Sequence, residues 1–195
     1  LPGDLPGGAF QGWLGDGVLL DASLGEDNLA LYDVERRQRV ELADDPAFGS
    51  RVSWIADGGT GPRAYVLGVD RIVPIDPARG TVAGPVLPHP AAVGEGPRTW
   101  WRGGTSSVSE SRAGDRLVVT WWESPELVSF TSVFDLTTGA ELARGLDGAK
   151  RTWVTGAGEV IGFAADRITV SSLDTLEITR TLPRPGGVPQ SLAVS

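Results

Sequence analysis

The sequence predicts an all-β fold made of a repeated four-stranded antiparallel unit, on three observations. A run of apolar residues that ends near an acidic residue and a turn recurs four times, over Leu29–Asp33, Arg71–Asp76, Val128–Asp135 and Ile168–Leu173, the last followed by Asp174. Glycine (27) and proline (14) are spread at short intervals, as many tight turns between short strands require. No stretch of a dozen residues combines helical spacing of apolar positions with a cap and a stop.

Each unit reads strand A, turn, strand B, loop, strand C, turn, strand D. The first places these strands at Ala9–Leu14, Val18–Asp21, Leu29–Val34 and Arg39–Leu42, with Gly15-Asp16-Gly17 as its A–B turn. The second has Arg51–Ile55, a glycine-rich loop from Asp57 to Pro62, then Ala64–Leu67, Arg71–Asp76 and Thr81–Leu87. In the third, Ser106–Ser111 turns through Ala113-Gly114-Asp115 into Arg116–Trp122, followed by Leu127–Asp135 and Ala140–Arg144. The fourth runs Arg151–Thr155, a Gly156-Ala157-Gly158 turn, Glu159–Ala164, Arg167–Leu173 and Glu177–Leu182. Acidic residues or glycines stand where hairpin turns need positive φ or local side-chain hydrogen bonds.

Along the ends of strand C the steps are 43 residues (Asp33 to Asp76), 59 (Asp76 to Asp135) and 39 (Asp135 to Asp174). A four-stranded unit repeating near 40 residues cannot cover both its faces alone and stacks on its neighbours, which is the signature of β-propeller blades. The expected blades are therefore residues 9–42, 51–87, 106–144 and 151–182 of one propeller domain or fragment. The long step places an inserted loop at 88–104. After Pro183–Pro189, Gln190–Ser195 reads as the first strand of a fifth blade, so the chain is expected to be part of a larger propeller.

Two segments resemble a known family. Val108-Ser-Glu-Ser-Arg-Ala-Gly-Asp-Arg-Leu-Val-Val-Thr120 resembles the strand A, turn, strand B segment of bacterial WD40-type propellers, and Val133-Phe-Asp-Leu-Thr-Thr-Gly-Ala-Glu-Leu142 their strand C to strand D hairpin. Quinoprotein-like propellers share that hairpin. No blade carries the Gly-His and Trp-Asp dipeptides of the eukaryotic pattern. The resemblance implies six to eight blades, with the connections from strand D to the next strand A on the face commonly used for ligands.

Composition removes several function classes. A net charge of −8 with 17 scattered basic residues is unlike a nucleic-acid surface, which clusters Lys and Arg to neutralise phosphates. The small cluster Arg36, Arg37 and Arg39 reads as the solvated side of a strand turn. With no cysteine there are no disulfides, iron–sulfur clusters or cysteine-bound zinc, and the compartment stays open, the cytoplasm slightly ahead of the exterior. No apolar run approaches the roughly 20 residues of a membrane span, and the amino terminus lacks the pattern of a signal peptide. The chain also contains no methionine, which is expected of a processed product or an internal piece. The single Lys150 against sixteen arginines has the look of a GC-rich, bacterial genome.

Catalytic chemistry has few candidates. His89, the one histidine, lies between two prolines in a loop, so neither a multi-histidine metal site nor a histidine triad is expected, and no cofactor is. Glu26-Asp27 and Asp44-Asp45 lack the spacing of a calcium loop, and Gly58-Gly-Thr-Gly61 lacks the Lys-Ser/Thr and the helix of a phosphate loop. Trp13, Trp54 and Trp153, near strand A in three units, read as core, and of Trp121-Trp122 one packs between blades.

Trp100 and Trp101 differ, because they fall in the inserted loop and are flanked by Arg98 and Arg102. Large aromatics beside arginines on such a loop have the composition of an interaction hot spot. The expectation is a non-catalytic scaffold or sensor module of a larger bacterial protein. It would bind a protein or peptide partner, or neighbouring domains of the same polypeptide, through Trp100, Trp101, Arg98 and Arg102. The alternative is an enzyme domain, a lyase, glycosidase or quinone-dependent dehydrogenase, with its site in the central channel.

Overall fold

The computed structural model describes residues 9–14, 18–22, 29–33, 36–40, 52–57, 63–68, 71–88, 103–123 and 128–184. Among them there is no helix, and every strand pairs antiparallel to its neighbour in the order of the sequence. The chain divides into two compact units, Leu1–His89 and Pro90–Ser195.

The first unit holds two sheets. One is β1 (Ala9–Leu14), β2 (Val18–Ala22), β3 (Leu29–Asp33) and β4 (Gln38–Val40). The other is β5 (Val52–Asp57), β6 (Ala64–Gly68), β7 (Arg71–Asp76) and an outer strand broken into β8 (Thr81–Val82) and β9 (Leu87–Pro88). A continuous strand over Thr81–Leu87 was expected; the break has its cause in Pro74. The amide of Ala83 donates to the Pro74 carbonyl at 2.8 Å, and in an antiparallel ladder a residue's N–H and C=O face the same neighbour. The N–H that Pro74 lacks would therefore have faced the outer strand, and Pro85 removes a further donor from the gap. β7 still pairs at both ends, Ile75 with Val82 and Ile72 with Leu87.

The second unit repeats the plan twice. Its first sheet is β10 (Gly103–Glu110), β11 (Arg116–Glu123), β12 (Val128–Asp135) and β13 (Glu141–Gly145). Its second is β14 (Arg151–Val154), β15 (Glu159–Phe163), β16 (Arg167–Ser172) and β17 (Ile178–Pro183). Strand β10 starts at Gly103, three residues before the expected Ser106, because Gly103 and Gly104 pair with Glu123 and Trp122. The middle strands are buried on both sides, Ala64–Leu67 and Ile72–Ile75 in one unit and Leu117–Trp121 in the other, which is why they read as nearly continuous apolar runs.

One hairpin joins strand C to strand D in all four sheets. Its loop has four residues, the last in the left-handed region: Arg37 (φ 53°), Gly80 (66°), Gly139 (77°) and Leu176 (57°). The amides of Gly80, Gly139 and Leu176 close it by donating to the carbonyls of Asp76, Asp135 and Ser172 at 2.8, 2.8 and 2.9 Å. This corrects the alignment of the fourth unit. Ser172, paired with the first residue of β15, holds the place that Asp135 has opposite Arg116, so the last step is 37 residues and Asp174 lies inside the turn.

The two sheets of the second unit are held by apolar contact and by hydroxyls. Val118 and Val133 of one meet Val154, Val160 and Leu176 of the other, with Leu146 and Ala149 of the connection between them. Both leucines in this cluster that follow a strand or turn, Leu146 and Leu176, are at positive φ (55° and 57°), a conformation that costs an L-residue about 1–2 kcal/mol. Nearer the inner edge, the amides of Thr152 and Val154 donate to Ser107 Oγ and Ser109 Oγ, each at 3.0 Å, and Thr120 Oγ1 lies 2.6 Å from Thr152 Oγ1.

The positive-φ residues are expected to respond in opposite directions. Arg37→Gly, at an exposed position, relieves backbone strain and raises stability by about 0.5–1 kcal/mol. Leu176→Gly relieves the same strain but empties a buried site, for a net loss of roughly 2–4 kcal/mol. Urea denaturation of the two variants checks the signs. Replacing Ser109 with Ala leaves the Val154 amide without its acceptor and is expected to cost about 1–3 kcal/mol in the same assay.

Candidate functional site

The four residues singled out for partner binding, Arg98, Trp100, Trp101 and Arg102, lie outside the described residues, as do His89, the acidic pairs at 26–27 and 44–45, the glycines at 58–61, and Gln190–Ser195. The strand they lead into is placed: β10 begins at Gly103, opposite the end of β11. That end of the second unit's sheets also carries the connection Leu146–Lys150 and the turn Ala164–Asp166. Of the tryptophans expected in the core, Trp121 is fully buried, and Trp153 is half-buried with its ring edge-on to Phe163 at 4.9 Å.

The turns that follow strand C are built by carboxylates. In three sheets the last residue of strand C is an Asp that divides its two oxygens between tasks. One oxygen accepts loop amides: Arg36 N on Asp33 (2.9 Å), Ala78 N on Asp76 (2.9 Å), and Thr137 N and Thr138 N on Asp135 (2.8 and 2.9 Å). The other takes an arginine: Arg36 at 3.1 Å, Arg79 at 2.8 Å and Arg116 at 3.2 Å. A short side chain one bond from its own backbone suits this closure, which is why Asp favours the place.

Arg116 goes further than its counterparts. Its Nη1 also donates to Asp115, and its Nε reaches Asp174 in the C–D turn of the neighbouring sheet at 3.1 Å. The Asp174 hydrogen bond is the main influence that raises the guanidinium pKa, against burial, with the charges of Asp115, Asp174 and Asp135 adding to it. On Asp135 the amides of Thr138 and then Thr137 hold the carboxyl below its ordinary value, and the Arg116 charge adds to them. Arg116 thus bonds three carboxylates, two in its own sheet and one in the next, and acts as a clamp between sheets.

The third sheet has a second pair near its outer rim. Arg144 forks onto both oxygens of Glu141 at 2.8 Å, its guanidinium 5.2 Å from the Phe130 ring, while Ser132 Oγ donates to Glu141 at 2.7 Å. Burial alone pushes the Glu141 carboxyl up, but the bonds from Arg144 and Ser132 outweigh it and the net shift is downward. Among the described residues no three His, Cys, Asp or Glu side chains are placed to hold a metal ion. Sequence reading missed the Arg116–Asp174 link, since nothing local relates residues 58 apart. The Ser107–Val108–Ser109 alternation, polar on one face of a strand, was the signal for the hydroxyl contact.

No protein-family model and no curated protein matches the chain. Solved structures do. A eukaryotic initiation factor superposes with a TM-score of 0.53 at 11% identity, covering 83% of this chain and 39% of its own. The Kuenenia stuttgartiensis hydrazine synthase gives 0.51 at 17%, covering 80% and 48%. The β-propeller domain of Myceliophteria thermophila Cps50 (Swd1) gives 0.50 at 14%, covering 86% and 57%. The fold is a β-propeller. The chain spans from about two-fifths to under three-fifths of these matched chains, and its four sheets are blades.

The clamp in the third blade predicts a pH response. A carboxyl whose folded pKa is lowered stabilises the fold fully above its unfolded value, near 4, and that contribution is lost as the pH falls through the lower folded value. Urea midpoints are therefore expected to drop on acidification below about pH 4, and Asp135→Asn is expected to show a smaller drop between pH 6 and pH 3 than the parent.

Proposed function

We propose that this β-propeller is a non-catalytic scaffold or sensor module of a larger bacterial protein, which binds a protein or peptide through loops between its blades. The observation that carries this reading is how the polar groups of the inner strands are used. Ser107, Ser109, Thr120, Thr131 and Thr152 hydrogen-bond one another or a neighbouring blade's amides, so these hydroxyls hold blade to blade rather than converge on a substrate. Recognition then falls to the loops. The inserted loop, with Trp100 and Trp101 between Arg98 and Arg102, supplies aromatic anchors for burial and guanidinium groups for a rim.

On this reading the double variant Trp100→Ala/Trp101→Ala loses capture of the partner from a native lysate while its thermal transition stays within about 2 °C of the parent's. A large fall in the transition instead identifies the two tryptophans as core and removes the proposal. Arg98→Glu/Arg102→Glu is expected to weaken the same capture and to change its salt dependence.

A further inference from the structure

A cleft of about 160 Å³ opens between the connection Leu146–Lys150 and the turn Ala164–Asp166. Its floor is buried and mostly apolar, made by Leu146, Ala149, Ala164 and Thr169; its rim is exposed and carries Asp147, Arg167 and Ile178. Gly162 packs tightly against two of the floor residues: a Cβ there would lie 2.8 Å from Thr169 Oγ1 and 3.4 Å from Leu146 Cδ1.

Both walls are fixed in advance. Gly148 N donates to Ser129 O at 2.8 Å and Lys150 N to Phe163 O at 2.6 Å, so the connection is tied to both blades. Opposite, the Arg184 guanidinium donates to the carbonyls of Ala164 at 2.9 Å and Ala165 at 3.4 Å. Leu146 reaches the floor from a backbone at φ 55°, strain that the surrounding contacts hold in place.

Size and charge select the occupant. An apolar cavity of about 150 Å³ takes a benzene-sized group, whereas whole small-molecule ligands fill roughly 300–1,000 Å³, so this cleft suits one side chain. At the rim, Arg167 is paired with Asp166 at 3.4 Å, while Asp147 has no ion pair or hydrogen bond among the described residues. Of the two charged residues that line the cleft, Asp147 is the one left without a partner among the described residues, on a chain of net charge −8 that steers cations toward it.

We infer that the cleft is a docking site for an extended peptide segment that inserts an aliphatic side chain over Leu146 and Ala149 and sets an adjacent Lys or Arg against Asp147. It uses none of the residues of the inserted loop, so it stands or falls apart from the tryptophan reading.

The test is titration of the isotope-labelled 195-residue chain with the blocked hexapeptide Gly-Ser-Leu-Lys-Ser-Gly, followed by amide NMR. Shifts are expected at Leu146–Ala149, Ala164, Thr169 and Ile178, with an affinity on the order of millimolar, as one anchor and one exposed ion pair allow. The peptide with Ser for Leu is expected to lose binding. Asp147→Asn, an exposed change, is expected to weaken binding roughly two- to fivefold with the thermal transition unchanged. Absence of localised shifts at about 5 mM peptide, or equal binding of the peptide with Glu for Lys, overturns the proposal.

Discussion

A four-stranded meander leaves one row of backbone amides unpaired on the edge of strand A, and burying that row against another sheet without acceptors is costly. The structure of the second unit turns on how this is met. Ser107 and Ser109, two residues apart on β10, meet the amides of Thr152 and Val154, two residues apart on β14. The match requires both strands to keep the period of two over the contact, and a bulge in β10 between Thr105 and Ser107 brings the serines into step. Hydroxyls serve better than longer side chains here because they accept close to their own backbone and lose little rotamer freedom.

Outward from that edge the contact becomes apolar, and the balance of terms there explains the two left-handed leucines. Strain of about 1–2 kcal/mol at each is outweighed by burying a whole leucine side chain, worth about 1.5–3 kcal/mol before the surrounding cavity is counted. Glycine at either place would satisfy the backbone and forfeit the packing. Arg37 holds the same conformation with no such return, its side chain being exposed. The left-handed position is thus shared by all four blades, while the reason a given residue tolerates it is local.

Much of the blade plan was legible because it rests on short-range chemistry. Apolar alternation, an Asp at the end of strand C and a glycine four residues later set the hairpins after Asp76 and Asp135, and both were read correctly. Where the same backbone is reached by other residues the reading slipped. The fourth hairpin has Ser172 and Leu176 in those places, so the nearest carboxylate, Asp174, drew the alignment two residues off. Pro74 was visible in the sequence, yet its effect depends on which neighbour its missing N–H faces, a property of register. The contacts that join blades, Ser109 to Val154 or Arg116 to Asp174, span 45 and 58 residues and have no local signature. The cleft beside Leu146 is likewise set by a connection and a turn that meet only in three dimensions.

The repeat is therefore one of backbone and not of interface chemistry. Ser109 pairs with Val118, the third residue of β11, and Trp153 pairs with Ile161, the third residue of β15, so Trp153 occupies in the fourth blade the place of Ser109 in the third. An indole there cannot accept an amide proton; it packs instead on Phe163, its neighbour on the same face. A face that carries Trp153, Ile161 and Phe163 has exchanged directed hydrogen bonds for shape and apolar area. Blades that share one chain path can thus differ in what each face accepts, because the hairpins repeat the backbone while the residues on each face do not.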